Sequence, residues 1–195
     1  MAKTRTADVL AAGRGGMNGN LYAYRVRGLG RGGVVLWNSG GDDEPDRVVA
    51  LPGADRCRVP VFVTVRQARV YVSRQGGWLA TSETNTLDLT RVQQWLENPA
   101  GRPAPSGAVL ESWNFFEDLA RGLDEAHRLP RQSAVHNSAY EKLFGDACTA
   151  WTPVERRAVL ELATAGMELW NSCPVILKPR SSIAFDSGRG VSRGQ

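Results

Sequence analysis

The chain has 195 residues, of which 42% are hydrophobic, 8% aromatic and 23% charged, and its 24 basic and 20 acidic side chains give a net charge of +4. This is the composition of an ordinary globular domain, and a chain of this length can hold a core without a metal or a disulfide framework. No apolar run approaches the ~20 residues of a membrane span, and the first residues lack a secretory signal. We therefore expect a cytoplasmic protein without a membrane partner.

In the N-terminal half, alternation of apolar and polar residues predicts strands. Residues 1–19 are small, polar and glycine-rich, and we predict that they form a flexible arm. Leu21–Arg27 is predicted as a half-buried strand, and Val34–Trp37 and Arg47–Leu51 as further strands. On the first strand, the inward side chains are Tyr22, Tyr24 and Val26, and the outward ones are Ala23, Arg25 and Arg27.

The next three runs predict an antiparallel meander. The clearest strand pattern is Arg58–Arg66, in which valines recur at every second position. Ala68–Ser73 and Trp78–Thr81 follow after short turns and are predicted as its neighbours. On the middle run, the inward side chains are Val70 and Val72, and the outward ones are Arg69 and Tyr71.

From Asp88 onward, apolar residues recur three to four positions apart, which predicts helices. Thr152 and Glu155 form a capping box, with Pro153 at the first helical position. The first predicted helix spans Asp88–Glu97, and a proline-rich linker follows at 98–107. The second helix has Val109, Trp113, Phe116, Ala120 and Leu123 on one face, a short third helix is opened by a capping box at Ser138–Glu141, and a fourth runs from Thr152 to about Asn171. A strand at Val175–Leu177 and a disordered tail at 181–195 complete the prediction.

These elements predict an α+β fold. We expect an N-terminal antiparallel β-sheet of four to six strands, with three or four C-terminal helices packed on one of its faces. The predicted domain spans residues 20–180, and it is β-rich over 20–82 and helical over 86–173.

Two glycine-rich motifs are candidate binding sites. Gly28–Gly33 satisfies G-x-G-x-x-G, but the Val34–Trp37 strand follows it where a dinucleotide-binding loop opens a helix, and the other kinase signatures are missing. A hairpin connection is therefore the prediction. The tripeptide Arg-Gly-Gly occurs at Arg14 and Arg31, and repeats of this kind bind RNA through arginine while glycine keeps the backbone pliable.

Arginine accounts for 21 of the 24 basic residues, and several arginines fall on predicted outward strand positions. If the strands are neighbours, arginine would interleave with an aromatic ring, a surface that could stack bases or dock an acidic protein. The predicted partner-binding residues are Arg25, Arg27, Arg31, Arg69, Tyr71 and Arg74.

The chemistry-bearing residues do not assemble into a known catalytic signature. His127 and His136 are the only histidines, and Asp124 and Glu125 lie just before His127, so a general base is one hypothesis. The cysteines Cys57, Cys148 and Cys173 are far apart and include no Cys-x-x-Cys pair, and the acidic loop Asp42–Asp46 lacks EF-hand spacing. We predict neither a metal nor a cofactor.

Three functional hypotheses follow. The favoured one is a non-catalytic protein-binding module of the inhibitor, immunity or regulatory type, which acts through its surface, with the acidic loop and the basic sheet face as candidate surfaces. The alternative is an RNA- or DNA-binding protein that uses the arm, the glycine loop and the basic face. The third is an enzyme that uses His127 or His136.

Overall fold

The computed structural model describes residues 20–30, 32–41, 44–52, 57–144 and 150–176, and it confirms the α+β class. The predicted arm at 1–19 and the tail at 181–195 lie outside these residues. The strands are β1 Asn20–Arg27, β2 Gly33–Ser39, β3 Arg47–Val48, β4 Val59–Val61, β5 Asn85–Asp88 and β6 Pro174–Ile176. The helices are α1 Val65–Arg74, α2 Leu89–Glu97, α3 Ser106–Leu123, α4 Ala134–Phe144 and α5 Pro153–Ser172, with a short 3-10 turn at Ala126–Arg128.

The main sheet has four strands in the order β3-β2-β1-β5. The β1–β2 and β2–β3 pairs are antiparallel, as predicted, but β5 pairs parallel with β1, so the sheet is mixed. The chain reaches β5 only after passing through α1, and a connection that contains a helix is long enough to return a strand in the parallel direction. A second, two-stranded sheet pairs β4 parallel with β6.

Both faces of the main sheet are covered. On one face, Val26 and Val35 join the large core made with α2, α3, α4 and α5. On the other face, Leu21 and Leu36 pack with α1 and with Phe62. The predicted layer of C-terminal helices is present, and α1 adds cover on the opposite side.

The middle strand of the predicted meander is wrong, because Ala68–Ser73 lies within α1. The Thr64 hydroxyl caps the helix by accepting from the Gln67 N–H at 3.2 Å. Helical spacing buries Ala68 and Val72 together, whereas Val70, which a strand would bury beside Val72, is 43% exposed.

Other elements also differ from the predictions. The predicted strand Trp78–Thr81 is wrong, because Leu79 makes only an isolated parallel bridge with Leu21, and the predicted strand Arg47–Leu51 is reduced to β3. The predicted strand Arg58–Arg66 is reduced to β4, and Val63 beyond it is 60% exposed. Strand β5 was not predicted. The short helix α4 begins at Ala134 instead of Ser138, and the Ser138 hydroxyl donates to Glu155 in α5 at 2.6 Å.

The predicted capping box at the start of α5 is confirmed. Thr152 Oγ1 accepts from the Glu155 N–H at 3.2 Å, and the Glu155 carboxylate accepts from the Thr152 N–H at 2.6 Å. Helix α5 packs closely on α3, since a Cβ at Gly166 would collide with the Phe116 ring. None of the helices in the described part of the chain combines the length and the apolarity that crossing a membrane requires.

Candidate functional site

The structure separates the predicted partner-binding residues into two groups. Arg25 and Arg27 lie at the end of β1 and line a shallow depression of about 410 Å³, together with backbone of the glycine connection and Thr90 of α2. The glycine connection joins β1 and β2 as a hairpin, with Gly30 at a positive φ of 77°. Arg31 lies outside the described residues.

The other group lies on α1. Arg69 and Arg74 are exposed on this helix. Tyr71 is half-buried, with its ring centroid 5.2 Å from that of Phe62, and burial raises the pKa of its hydroxyl. The predicted sheet face with arginine and tyrosine interleaved is therefore wrong, because these residues belong to a helix in which Tyr71 turns inward. Partner binding by the arginines stays a prediction.

The two histidines lie in different surroundings. His127 is exposed in the 3-10 turn. His136 is buried in α4, with Nδ1 2.9 Å from Ser133 Oγ and its ring edge-on to Trp113. Among the described residues, no three His, Cys, Asp or Glu side chains are grouped as metal ligands.

A cleft of about 710 Å³ opens between the sheet and α3, on the face opposite α1. Its lining combines carboxylates, amides and two aromatic rings. The lining residues are Tyr24, Trp37, Asp46, Asn85, Thr86, Leu87, Glu111, Asn114, Glu117 and Asp118, and we refer to this site as the acidic cleft.

Aromatic side chains from neighbouring strands stand at the sheet side of the acidic cleft. The ring centroids of Tyr24 and Trp37 are 4.7 Å apart, because these two residues belong to adjacent paired strands. Trp37 also contacts Phe115 of α3 at 5.8 Å, and the Tyr24 hydroxyl accepts a hydrogen bond from Asn85 Nδ2 at 3.3 Å. Each ring therefore makes two contacts that restrain its orientation.

Asp118 is the most buried of the four acidic residues that line the cleft, at only 8% exposed. Burial raises its pKa to about 6, although the Arg121 guanidinium forms an ion pair with it and opposes that shift. The nearby charges of Asp46 and Glu117 raise the pKa further. Arg121 also donates to the Asp46 carbonyl, which ties α3 to the segment before β3.

The other carboxylates are held by neutral donors or face solvent. Glu117 accepts from Trp113 Nε1 at 2.9 Å and from Gln132 Nε2 at 2.8 Å. Glu111 is exposed at the mouth. Within the described residues, Arg121 is the one basic side chain that forms an ion pair with a carboxylate of the cleft. The cleft therefore keeps a net negative charge when its carboxylates are ionised.

Only one part of the acidic cleft belongs to a surface that the sequence predicts. The acidic loop Asp42–Asp46 was a candidate surface, and its last residue lines the cleft, whereas residues 42 and 43 lie outside the described part of the chain. Glu111, Asn114 and Asp118 recur three to four positions apart in α3, a visible polar stripe on one side of the helix. That stripe resembles any solvated helix face until the sheet is placed opposite it.

Comparison of the chain with protein-family models, with curated proteins and with solved structures finds no match.

Proposed function

We propose that this protein is a non-catalytic protein-binding module of the inhibitor, immunity or regulatory type, and that the acidic cleft receives a basic side chain of its partner. One observation carries the proposal: four carboxylate residues and two oriented aromatic rings line the same cleft. Such a combination fits a guanidinium or ammonium group better than any neutral or anionic group.

Two forces act on a cation in this cleft. Carboxylates form charge-assisted hydrogen bonds with arginine and lysine, and these bonds are about twice as strong as neutral ones. An aromatic face within about 6 Å adds a cation–π attraction of about 0.5–2 kcal/mol. Glu111 at the mouth and Glu117 behind it provide the charge, and Trp37 provides the larger ring.

The cleft is large enough to receive a protein segment. Sites that enclose small ligands have volumes of about 300–1,000 Å³, so a cleft of about 710 Å³ has room for more than one side chain. The amides of Asn85 and Asn114 line the same space and offer hydrogen bonds to a peptide backbone. A basic residue on a loop of the partner would use both features.

The direct test is an NMR titration with N-acetyl-arginine amide, with N-acetyl-citrulline amide as the uncharged counterpart. We expect the arginine probe to bind with millimolar affinity, about −4 kcal/mol, and to shift the Trp37 indole signal. The citrulline probe should leave that signal in place, because it has the same shape without the charge.

Paired variants locate the binding. Asp46→Asn with Glu111→Gln should weaken binding of the arginine probe at least fivefold, whereas Glu141→Gln with Glu161→Gln, an equal charge change at exposed positions of α4 and α5, should leave it unchanged. Equal effects from both pairs, or equal affinity for the two probes, would contradict the proposal. The same two variants serve as baits in extracts of the native host, where a true partner is retained by the control and lost by the cleft variant.

A further inference from the structure

Helix α1 carries a second surface of opposite charge, independent of the acidic cleft. Arg66, Arg69 and Arg74 are exposed on it, and α1 contains no acidic residue. In the described part of the chain, none of these three arginines forms an ion pair. With Val70 and Trp78 they form what we term the α1 patch.

Trp78 is the most exposed large apolar side chain of the described residues, at 78%. The chain turns after α1 at Gly76, which has a φ of 79°, and the Gly77 N–H then donates to the Val72 carbonyl at 3.1 Å. This turn returns the backbone to the last turn of the helix. The exposed indole therefore follows directly on the C-terminal turn of α1, four residues after Arg74, with its ring available to a ligand.

We infer that the α1 patch binds single-stranded nucleic acid. Arginine pairs with phosphates, and an exposed indole stacks on any base because every base has a π-face. Arg66 and Arg74 are about 12 Å apart along the helix axis, so they can pair with different phosphates of one strand. An unpaired strand exposes its bases to Trp78, whereas a duplex keeps them stacked.

Other anionic partners fit the patch less well. A peptide that docks as a helix needs an apolar groove, and a single exposed helix presents none. A helix that binds a membrane surface needs a continuous apolar stripe. On α1, however, Arg66 and Arg74 lie four positions before and after Val70, on the same side of the helix. The nucleic-acid proposal also explains why the aromatic residue is exposed instead of packed.

The test is fluorescence anisotropy of the full chain with a labelled single-stranded oligonucleotide at several salt concentrations. Replacing Arg66, Arg69 and Arg74 together with Gln should weaken binding and reduce the salt slope by about 2, since each lost phosphate contact on a single strand removes about 0.7. Trp78→Ala should weaken binding roughly tenfold, and Trp78→Phe should retain most of the affinity because it keeps a π-face.

A matched control separates the patch from net charge. The triple substitution of Arg91, Arg131 and Arg157 with Gln removes the same charge at exposed positions on other elements and should leave the affinity within twofold. Equal weakening by both triple variants would overturn the inference. So would binding to anionic lipid vesicles or to polyglutamate at least as tight as binding to the oligonucleotide. Circular dichroism confirms that each variant is folded before binding is compared.

Discussion

At the residue scale, the ionisation of Asp118 makes the charge of the acidic cleft depend on pH. Its folded-state pKa of about 6 is above the ordinary 3.8 because the side chain is buried. Unfolding therefore releases a proton between pH 4 and 6, and the free energy of unfolding falls as pH rises through this range. A shift of this size corresponds to at most about 3 kcal/mol.

Asp118→Asn isolates this effect, because asparagine resembles the protonated carboxyl group and can still accept from Arg121. We expect the decline in stability between pH 4 and 6 to be smaller in this variant than in the wild type, as measured by urea unfolding at each pH. Glu141→Gln, an exposed control, should follow the wild-type profile. Parallel stability profiles for wild type and Asp118→Asn would show that Asp118 is not responsible for the decline in stability between pH 4 and 6.

The same carboxyl group should tune ligand binding. Asp118 faces Arg121, Asp46 and Glu117, so its ionisation adds negative charge to the cleft in which we propose that a cation binds. Affinity for N-acetyl-arginine amide should rise between pH 5 and 7 with a midpoint near 6, and Asp118→Asn should reduce that rise. A pH-independent affinity in the wild type would contradict the assignment.

At the element scale, one carboxylate joins α4 to α5. Glu155 accepts from Lys142 Nζ at 2.7 Å and from the Ser138 hydroxyl, in addition to its bond with Thr152. The ammonium of Lys142 is the main reason why the pKa of Glu155 is lowered to about 2. These contacts require the ionised carboxylate.

We therefore expect stability to fall as pH drops from 4.5 towards 2, since over this range the unfolded chain takes up a proton at Glu155 that the folded chain does not bind. Glu155→Gln should be less stable than wild type at pH 7 and should lose less stability over the acid range. Glu161→Gln, exposed in the same helix, is the control. Thermal unfolding followed by circular dichroism measures the stability of both variants at each pH. If Glu155→Gln lost as much stability as wild type between pH 4.5 and 2, Glu155 would not be the group responsible.

The elements also show which local patterns determine structure. The start of α5 was predictable because Thr152, Pro153 and Glu155 fix it by contacts within one turn. In α1 the alternating sequence Val70-Tyr71-Val72 is typical of a strand. The segment is nevertheless a helix, which the Thr64 cap and the burial of Ala68 with Val72 stabilise. Strand β5 was missed because its four residues pair only with β1, far away in the chain.

At the scale of the whole molecule, the sheet separates two surfaces of opposite charge. The acidic cleft lies on the face covered by α3, and the α1 patch lies on the other. The sequence predicted the α+β class and the basic residues Arg69 and Arg74, but neither surface as an assembled site. Assembly depends on which elements the sheet brings together, and no local pattern contains that information.

Because of this separation, we expect the two proposed binding events to be independent. Charges on opposite faces are screened at physiological salt, where the Debye length is about 8 Å. We expect Asp46→Asn with Glu111→Gln to leave oligonucleotide affinity within twofold of wild type at 150 mM salt. Anisotropy titrations of both proteins check this expectation, and a larger change would indicate that the surfaces interact.

The pairing of β4 with β6 has a consequence for how the chain acquires its structure. It joins Val59 to Pro174, so a strand from the first third of the sequence must wait for the last described element. During synthesis, β4 emerges from the ribosome well before its partner. Contacts this distant in sequence slow folding because the intervening loop must close first. Completion of the native structure therefore requires that β6 has been synthesised.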